Sequence, residues 1–400
     1  MHLMKHAARP RTTAAVAALI VASLALTACG NDAGDSAAES AEKKPGSPAA
    51  RIQDPIVTTY DGGLYVLDGA TLKLAKDIPL AGFNRVNPAG SERHVMVSTA
   101  TGFQVLDAVG GKLTDVEFEG SKPGHVVRHA GRTVLFSDGT GVVTVLDPKD
   151  LGDTKPKTET YTSAAPHHGV AIQLADGTLV TTLGTEEKRV GITVLGKDRK
   201  EITRSEECPG VHGEATAQGE AVVIGCEDGV LIYKDGAAKK VKSPTDYGRI
   251  GNQAGSDESP VVLGDYKKDK DAELERPEQV SLIDTRTGTM RLVDIGTSYT
   301  FRSLARGPHG EALVLGTDGS IHVIDPDTGK VTRKIAVLDP WQEPLDWQQP
   351  RPALFVRDHT AYVSDPSGKK LLAFDIESGE RLASTDLPKA PDELSGVKQH

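Results

Sequence analysis

From about residue 52 onward the apolar positions fall in short runs separated by small polar turns, and helical periods of three to four are hard to find. The most regular feature is an apolar run ending in Asp, followed by a Gly-containing turn. It occurs as VLDGAT at Asp68, VLDAVGG at Asp107, VLDPKDLG at Asp147, LIDTRTG at Asp284, VIDPDTG at Asp325 and AFDIESG at Asp375. Weaker forms, VLGKD around Gly196 and IYKDG around Lys234, fill the interval between Asp147 and Asp284. The eight markers have a mean spacing of about 44 residues, which is the period of propeller blades. Asp opens such a turn by accepting backbone N–H groups, and Gly completes it where φ is positive.

Each unit also carries an earlier tight turn: Asp61-Gly62, Thr101-Gly102, Asp138-Gly139, Asp176-Gly177, Asp228-Gly229 and Asp318-Gly319. Such pairs join antiparallel strands. A unit then runs strand, turn, strand, Gly turn, strand, Asp-x-x-Gly turn, strand, as in EALVLGTDGSIHVIDPDTGKVTRKIAV. The expected fold is all-β: a single β-propeller of eight four-stranded blades, or seven should one weak marker be a false match. Stacked β-sandwiches would not require so even a spacing. The first unit, residues 56–80, offers only three strands, and the tail after Asp386 offers one more at roughly residues 393–398. Closure of the first blade by that last strand would hide two sheet edges.

The N-terminus breaks the pattern. Lys5, Arg9 and Arg11 precede an apolar stretch from Ala14 to Ala28, and Leu26-Thr27-Ala28-Cys29 resembles a bacterial lipobox. Residues 1–28 are read as a lipoprotein signal peptide and Cys29 as the lipidated mature N-terminus. Residues 29–50, small, polar and acidic, are a flexible tether, and residues 51–400 are the propeller. The expected location is the outer face of a bacterial cytoplasmic membrane, held by the lipid, with a monomer as the expected state.

Composition agrees with this division. The chain has 42 Gly and 23 Pro but few aromatics (Phe 7, Tyr 8, Trp 2), as many turns between short strands require. The net charge of −10 becomes −13 once the signal peptide takes three cations and no acid. That balance argues against nucleic acid as a partner and suits attraction of a cation.

After Cys29 the chain holds two cysteines, Cys208 and Cys226. Outside the cytoplasm an even pair reads as a disulfide, with a Cys/His metal site as the other reading. They flank CPGVHGEATAQGEAVVIGC, two strands around a turn at Gln218-Gly219. A bridge there would pin the loop leading into His212.

Ten histidines follow the signal segment, and three are placed alike. His125 follows Gly124, His168 belongs to the His167-His168 pair, and His212 follows Val211, at spacings of 43 and 44 residues. Each is expected at the start of its unit's innermost strand, where equivalent positions converge on the channel mouth. Asn87, Asn252 and Arg302 are the rough matches in other units. Three imidazoles brought together suit zinc, with a carboxylate or water as fourth ligand, and copper or nickel would also accept them. Glu214, two residues after His212, is the candidate fourth ligand or supporting carboxylate. His94, His129, His309, His322, His359 and His400 show no such correspondence and read as structural. No G-x-S-x-G, H-E-x-x-H or calcium loop is present. A zinc-dependent propeller hydrolase or lactonase, a quinoprotein dehydrogenase and a metal-free interaction scaffold are the competing classes.

The runs PHHGVAIQLADGTLV (166–180) and CPGVHGEATAQGEAVVIGCEDGVLIY (208–233) resemble the AztD zinc metallochaperones. The resemblance spans about residues 52–400; its specific part is the HHG and C-P-G-x-H-G-E segments, the rest being generic propeller. It implies an extracytoplasmic propeller that passes zinc to the solute-binding protein of a zinc ABC transporter. It further implies zinc ligation by His125, His168 and His212, and a Cys208–Cys226 disulfide. A His-rich N-terminal arm, found in some members, is missing here: residues 30–60 contain no histidine. A second, weaker zinc site in that arm is therefore not expected.

Overall fold

The computed structural model describes residues 51–152 and 156–397. The signal segment, Cys29, the tether and His400 lie outside the described residues. Eight four-stranded antiparallel sheets follow one another along the chain. Seven are built from consecutive strands: blade 2 (85–119), blade 3 (123–162), blade 4 (171–205), blade 5 (212–242), blade 6 (253–294), blade 7 (299–336) and blade 8 (354–386). Innermost strands of successive blades pack on one another, from Gln253–Ala254 to Tyr299–Arg306, Leu354–Arg357, Leu394–Gly396 and Arg85–Pro88. The eight sheets thus form a ring, an eight-bladed β-propeller.

The hydrophobic pattern follows from position within a blade. Middle strands, covered on both faces by neighbouring blades, are buried at every position, as in Ile56–Tyr60, Gly63–Leu67 and Ala221–Cys226. Outermost strands such as Leu74–Pro79 and Arg381–Asp386 are mostly exposed. The core is therefore a series of layers between blades. Val57 and Val66 of blade 1 (56–79 with 394–396) meet Val95 and Val97 of blade 2, and Leu313 and Leu315 of blade 7 meet Val363 and Phe374 of blade 8.

The marker aspartates act as the sequence suggests. Asp68, Asp107, Asp325 and Asp375 accept the backbone N–H three residues on at 2.9, 2.8, 2.7 and 2.7 Å. The earlier Asp-Gly and Thr-Gly turns are less uniform than expected. Five join the second strand of a blade to the third, whereas Asp176-Gly177 joins the first, Ala171–Gln173, to the second, Leu179–Gly184. The second-to-third connection of blade 4 is instead the charged turn around Glu186 and Glu187, so local turn chemistry did not reveal position within the blade.

Ring closure matches expectation. Leu394–Gly396 is the innermost strand of blade 1 and pairs antiparallel with Ile56–Tyr60, Val57 opposite Ser395. Just before it, Asp392 and Glu393 form ion pairs with Arg302 of blade 7, Glu393 at 2.8 Å, and Glu393 also meets Arg85 of blade 2 at 3.2 Å. The Arg302, Asp392 and Glu393 side chains are under one-tenth exposed. Burial raises the Asp392 carboxyl above its usual value, against the opposing pull of Arg302. Among the described residues the only helix is a single 3-10 turn, Pro148–Asp150, so no helix is long and apolar enough to cross a membrane.

Candidate metal centre

Three consecutive blades supply the histidines. His125 is the third residue of Pro123–His129 in blade 3, at a register shift between Pro123 and Val126. His212 opens His212–Ala217 in blade 5. His168 departs from the expected position: it lies in the loop before Ala171–Gln173 of blade 4. The three nevertheless converge. Ring centroids are 5.4 Å apart for His125 and His168, 5.6 Å for His125 and His212, and 4.8 Å for His168 and His212. One ligand atom from each lies within 4.8 Å of the others.

Each ring has its Nδ1 against an oxygen acceptor. His168 Nδ1 is 2.5 Å from Asp138 Oδ2, and His212 Nδ1 is 2.6 Å from the Gly251 carbonyl. His125 Nδ1 lies 3.1 Å from Glu214 Oε2. A carbonyl and a carboxylate only accept, so at His168 and His212 Nδ1 is the donor and Nε2 is directed toward a ligand. Glu214 lies beside His125 but is not among the three residues whose ligand atoms come within 4.8 Å of one another. Two residues after His212 would put it on the same strand face, but Gly213 has φ of +71° and the ladder shifts register between His212 and Glu214. That bulge turns the carboxylate toward blade 3. Its Oε2 is buried without an aligned hydrogen bond.

Asp138 and the Gly251 carbonyl are the functional groups that sequence reasoning missed. Asp138 belongs to one of the blade turns and looked purely structural. A signal was present in Gly124: a Cβ there would stand 2.2 Å from Asp138 Oδ1, so the residue before His125 must lack a side chain for the carboxylate to enter. Gly213 is similarly constrained, since its Cβ would lie 2.4 Å from the Gly251 oxygen that holds His212.

Exposure grades across the site. The His168 side chain is 43% exposed and that of His125 22%, while Asp138 and Glu214 are 15%. Burial, reinforced by His125, His168 and Arg249, pushes His212 well below the ordinary imidazole value, against the raising effect of the Gly251 carbonyl. His212 is therefore neutral, as a metal ligand must be.

The cysteines are joined as a disulfide, Cys208 to Cys226, with Cα atoms 4.9 Å apart. It ties the approach to His212 to the end of Ala221–Cys226, and the Cys226 carbonyl in turn accepts the Ile250 N–H, one residue before Gly251.

The remaining described histidines divide. His167 is buried, with Nδ1 on the Ala165 carbonyl and Nε2 on Thr182 Oγ1, so both nitrogens are used structurally. His94 bonds Ser91, His129 bonds Glu220 and His322 bonds Asp318. His309 and His359 instead meet at Glu377, a grouping that the sequence did not suggest.

No protein-family model matches the chain. The zinc chaperone AztD of Citrobacter koseri is 25% identical to it over 302 residues, 73% of this chain and 69% of that protein. Apo AztD from Citrobacter koseri superposes with a TM-score of 0.74 at 22% identity, over 86% of this chain and 96% of that one. A second Citrobacter koseri AztD structure gives 0.73 at 22%, over 86% and 98%. Dihydro-heme d1 dehydrogenase NirN, in complex with DHE, gives 0.58 at 15%, over 88% and 77%. These structural likenesses establish the fold, and the likeness to AztD read from the sequence holds along most of the chain.

Proposed function

We propose that this protein is an extracytoplasmic zinc chaperone that holds zinc as cargo at His125, His168 and His212. It passes the ion to the solute-binding protein of a zinc ABC transporter. The observation that carries the reading is the convergence of three imidazoles from three consecutive blades, with Nδ1 of His168 and His212 held by acceptors and Nδ1 of His125 3.1 Å from Glu214. The sequence likeness to a zinc chaperone supports it independently.

Zinc takes imidazole nitrogen at about 2.0–2.1 Å in a four-coordinate shell, so three histidines leave one place for water or for a partner's ligand. An incoming ligand approaches past His168, the most exposed of the three, and displaces it first. His212, most constrained by burial, releases last. Because the new ligand binds before the old ones leave, the ion is not freed into solution. Lipidation at Cys29 and a tether through residue 50 would keep a monomeric propeller near a transporter on the same membrane.

Two measurements test this. Zinc titration of tag-free protein against a chelator should show strong weakening in His125→Ala, His168→Ala and His212→Ala; wild-type affinity in all three would end the proposal. Isotope-labelled zinc should then move to the solute-binding protein at a rate that excess chelator does not change. Loss of the transferred label to chelator would mean release instead of direct handover.

A further inference from the structure

We propose a second divalent-cation site on the opposite face of the ring, built from His309, His359 and Glu377. The first group of ligands lies where innermost strands begin. His309 and His359 lie in the turns after the innermost strands Tyr299–Arg306 and Leu354–Arg357, at the other end of blades 7 and 8. Glu377 is in the turn between Lys370–Asp375 and Arg381–Asp386 of blade 8.

The three side chains converge on one point. Glu377 Oε1 is 2.9 Å from His359 Nδ1 and 3.4 Å from His309 Nε2. The imidazole centroids are 5.7 Å apart with planes at 69°, and one ligand atom from each residue lies within 4.8 Å of the others. All three side chains are more than half exposed, at 66%, 52% and 59%. Exposed ion pairs contribute only about 0–1 kcal/mol, so bringing two imidazoles to a single carboxylate oxygen has little value for the fold.

Backbone contacts hold the three turns in place. The Ile376 N–H donates to the His359 carbonyl at 2.8 Å, linking the two turns of blade 8. Arg333 of blade 7 donates to the carbonyls of Ile376 and Glu377 across the blade boundary. Ser378 N–H bonds Asp375 at 2.7 Å, and His309 N–H bonds Glu311 at 3.0 Å. The ligands therefore start near their bound arrangement.

Two imidazole nitrogens and one carboxylate oxygen suit zinc, copper, nickel or cobalt, with water in the remaining positions. Calcium and magnesium prefer all-oxygen sites. Among the described residues no acceptor holds the ring nitrogens that face away from Glu377. Such support is worth about 10- to 100-fold in affinity, so this site is the weaker of the two. It does not depend on the axial reading.

The test is zinc titration of tag-free protein by calorimetry, repeated with cobalt to read coordination by absorption. Wild type should bind two equivalents, one tight and one weaker. The His309→Ala/His359→Ala double variant should lose only the weaker equivalent, and Glu377→Gln should weaken it with unchanged melting behaviour. The triple variant of His125, His168 and His212 should lose only the tight one. A single wild-type equivalent that survives the double variant would overturn this proposal and leave the axial site standing. A single equivalent lost in the double variant but kept in the triple variant would overturn the axial site and support this one. A weaker equivalent unchanged by all three substitutions at His309, His359 and Glu377 would overturn it as well.

Discussion

Asp138 offers the sharpest test of how the centre works, because it touches His168 and is not itself one of the three converging imidazoles. Its Oδ2 lies 2.5 Å from His168 Nδ1 and its Oδ1 accepts the Gly169 N–H at 3.3 Å, so one carboxylate fixes both the ring and the backbone beside it. Removing a partner of this kind costs about 10- to 100-fold in metal affinity, or about 1.4 to 2.8 kcal/mol at about 1.4 kcal/mol per decade. Asp138→Asn keeps an acceptor of similar shape but no charge and should fall near the lower end. Asp138→Ala leaves the ring without a partner and should fall near the upper end. His168→Ala removes a ligand and should cost more than either. The assay is competition with a chromophoric chelator at constant pH, with circular dichroism to confirm folding. Wild-type affinity in Asp138→Ala beside a weakened His168→Ala would refute the orienting role. Equal losses in Asp138→Ala and His168→Ala would also refute it, since the carboxylate would then be acting as a ligand.

Other consequences are equally accessible. Gly213→Ala forces φ of +71° on a residue with a side chain and drives its Cβ toward the Gly251 oxygen. It should cost about 1–3 kcal/mol in stability together with weaker zinc binding, and unchanged values in both denaturation and titration would contradict the bulge argument. Arg302→Ala leaves Asp392 and Glu393 buried without their common cation and should destabilise the ring by about 3–5 kcal/mol; a denaturation midpoint like wild type would show that closure does not rest on this network. Burial depresses the imidazoles of His94 and His322, which an Asp107 or Asp318 carboxylate only partly opposes. The unfolded chain therefore takes up protons near pH 6.5 before the folded one does. Their contribution is complete above pH 6.5 and declines as pH falls toward the folded values, by at most about 1.4 kcal/mol per pH unit for each histidine. Urea midpoints of metal-free protein should drop between pH 7.5 and 5.5, and a flat or rising profile would refute this.

The repeat was legible because its chemistry is local. Each marker Asp binds the backbone of its own turn, so the motif recurs wherever the turn does, and the closing strand could be read from three strands at one end and one at the other. The convergence of the three histidines was legible through their near-blade spacing, although His168 sits in the loop before its strand instead of on it. What supports the triad was hidden for three different reasons. Asp138 looks like any other turn aspartate, and only a fold can show that it reaches His168 in the next blade. The Gly251 acceptor is a backbone carbonyl and has no residue identity to read. The backbone bend that places Glu214 against His125 depends on a positive φ at Gly213, which the sequence does not state. His309 and His359 occupy equivalent turns of successive blades, but the long connection over residues 337–353 stretches their spacing and Glu377 comes from a different turn, so spacing did not single the group out.

The most direct test of the central claim is a crystal grown with zinc and measured on both sides of the zinc absorption edge. The expected result is an anomalous peak within coordination distance of His125, His168 and His212, absent below the edge and absent from the His168→Ala/His212→Ala variant. Tightly bound zinc located anywhere else on the protein, with no peak among these three imidazoles, would contradict it.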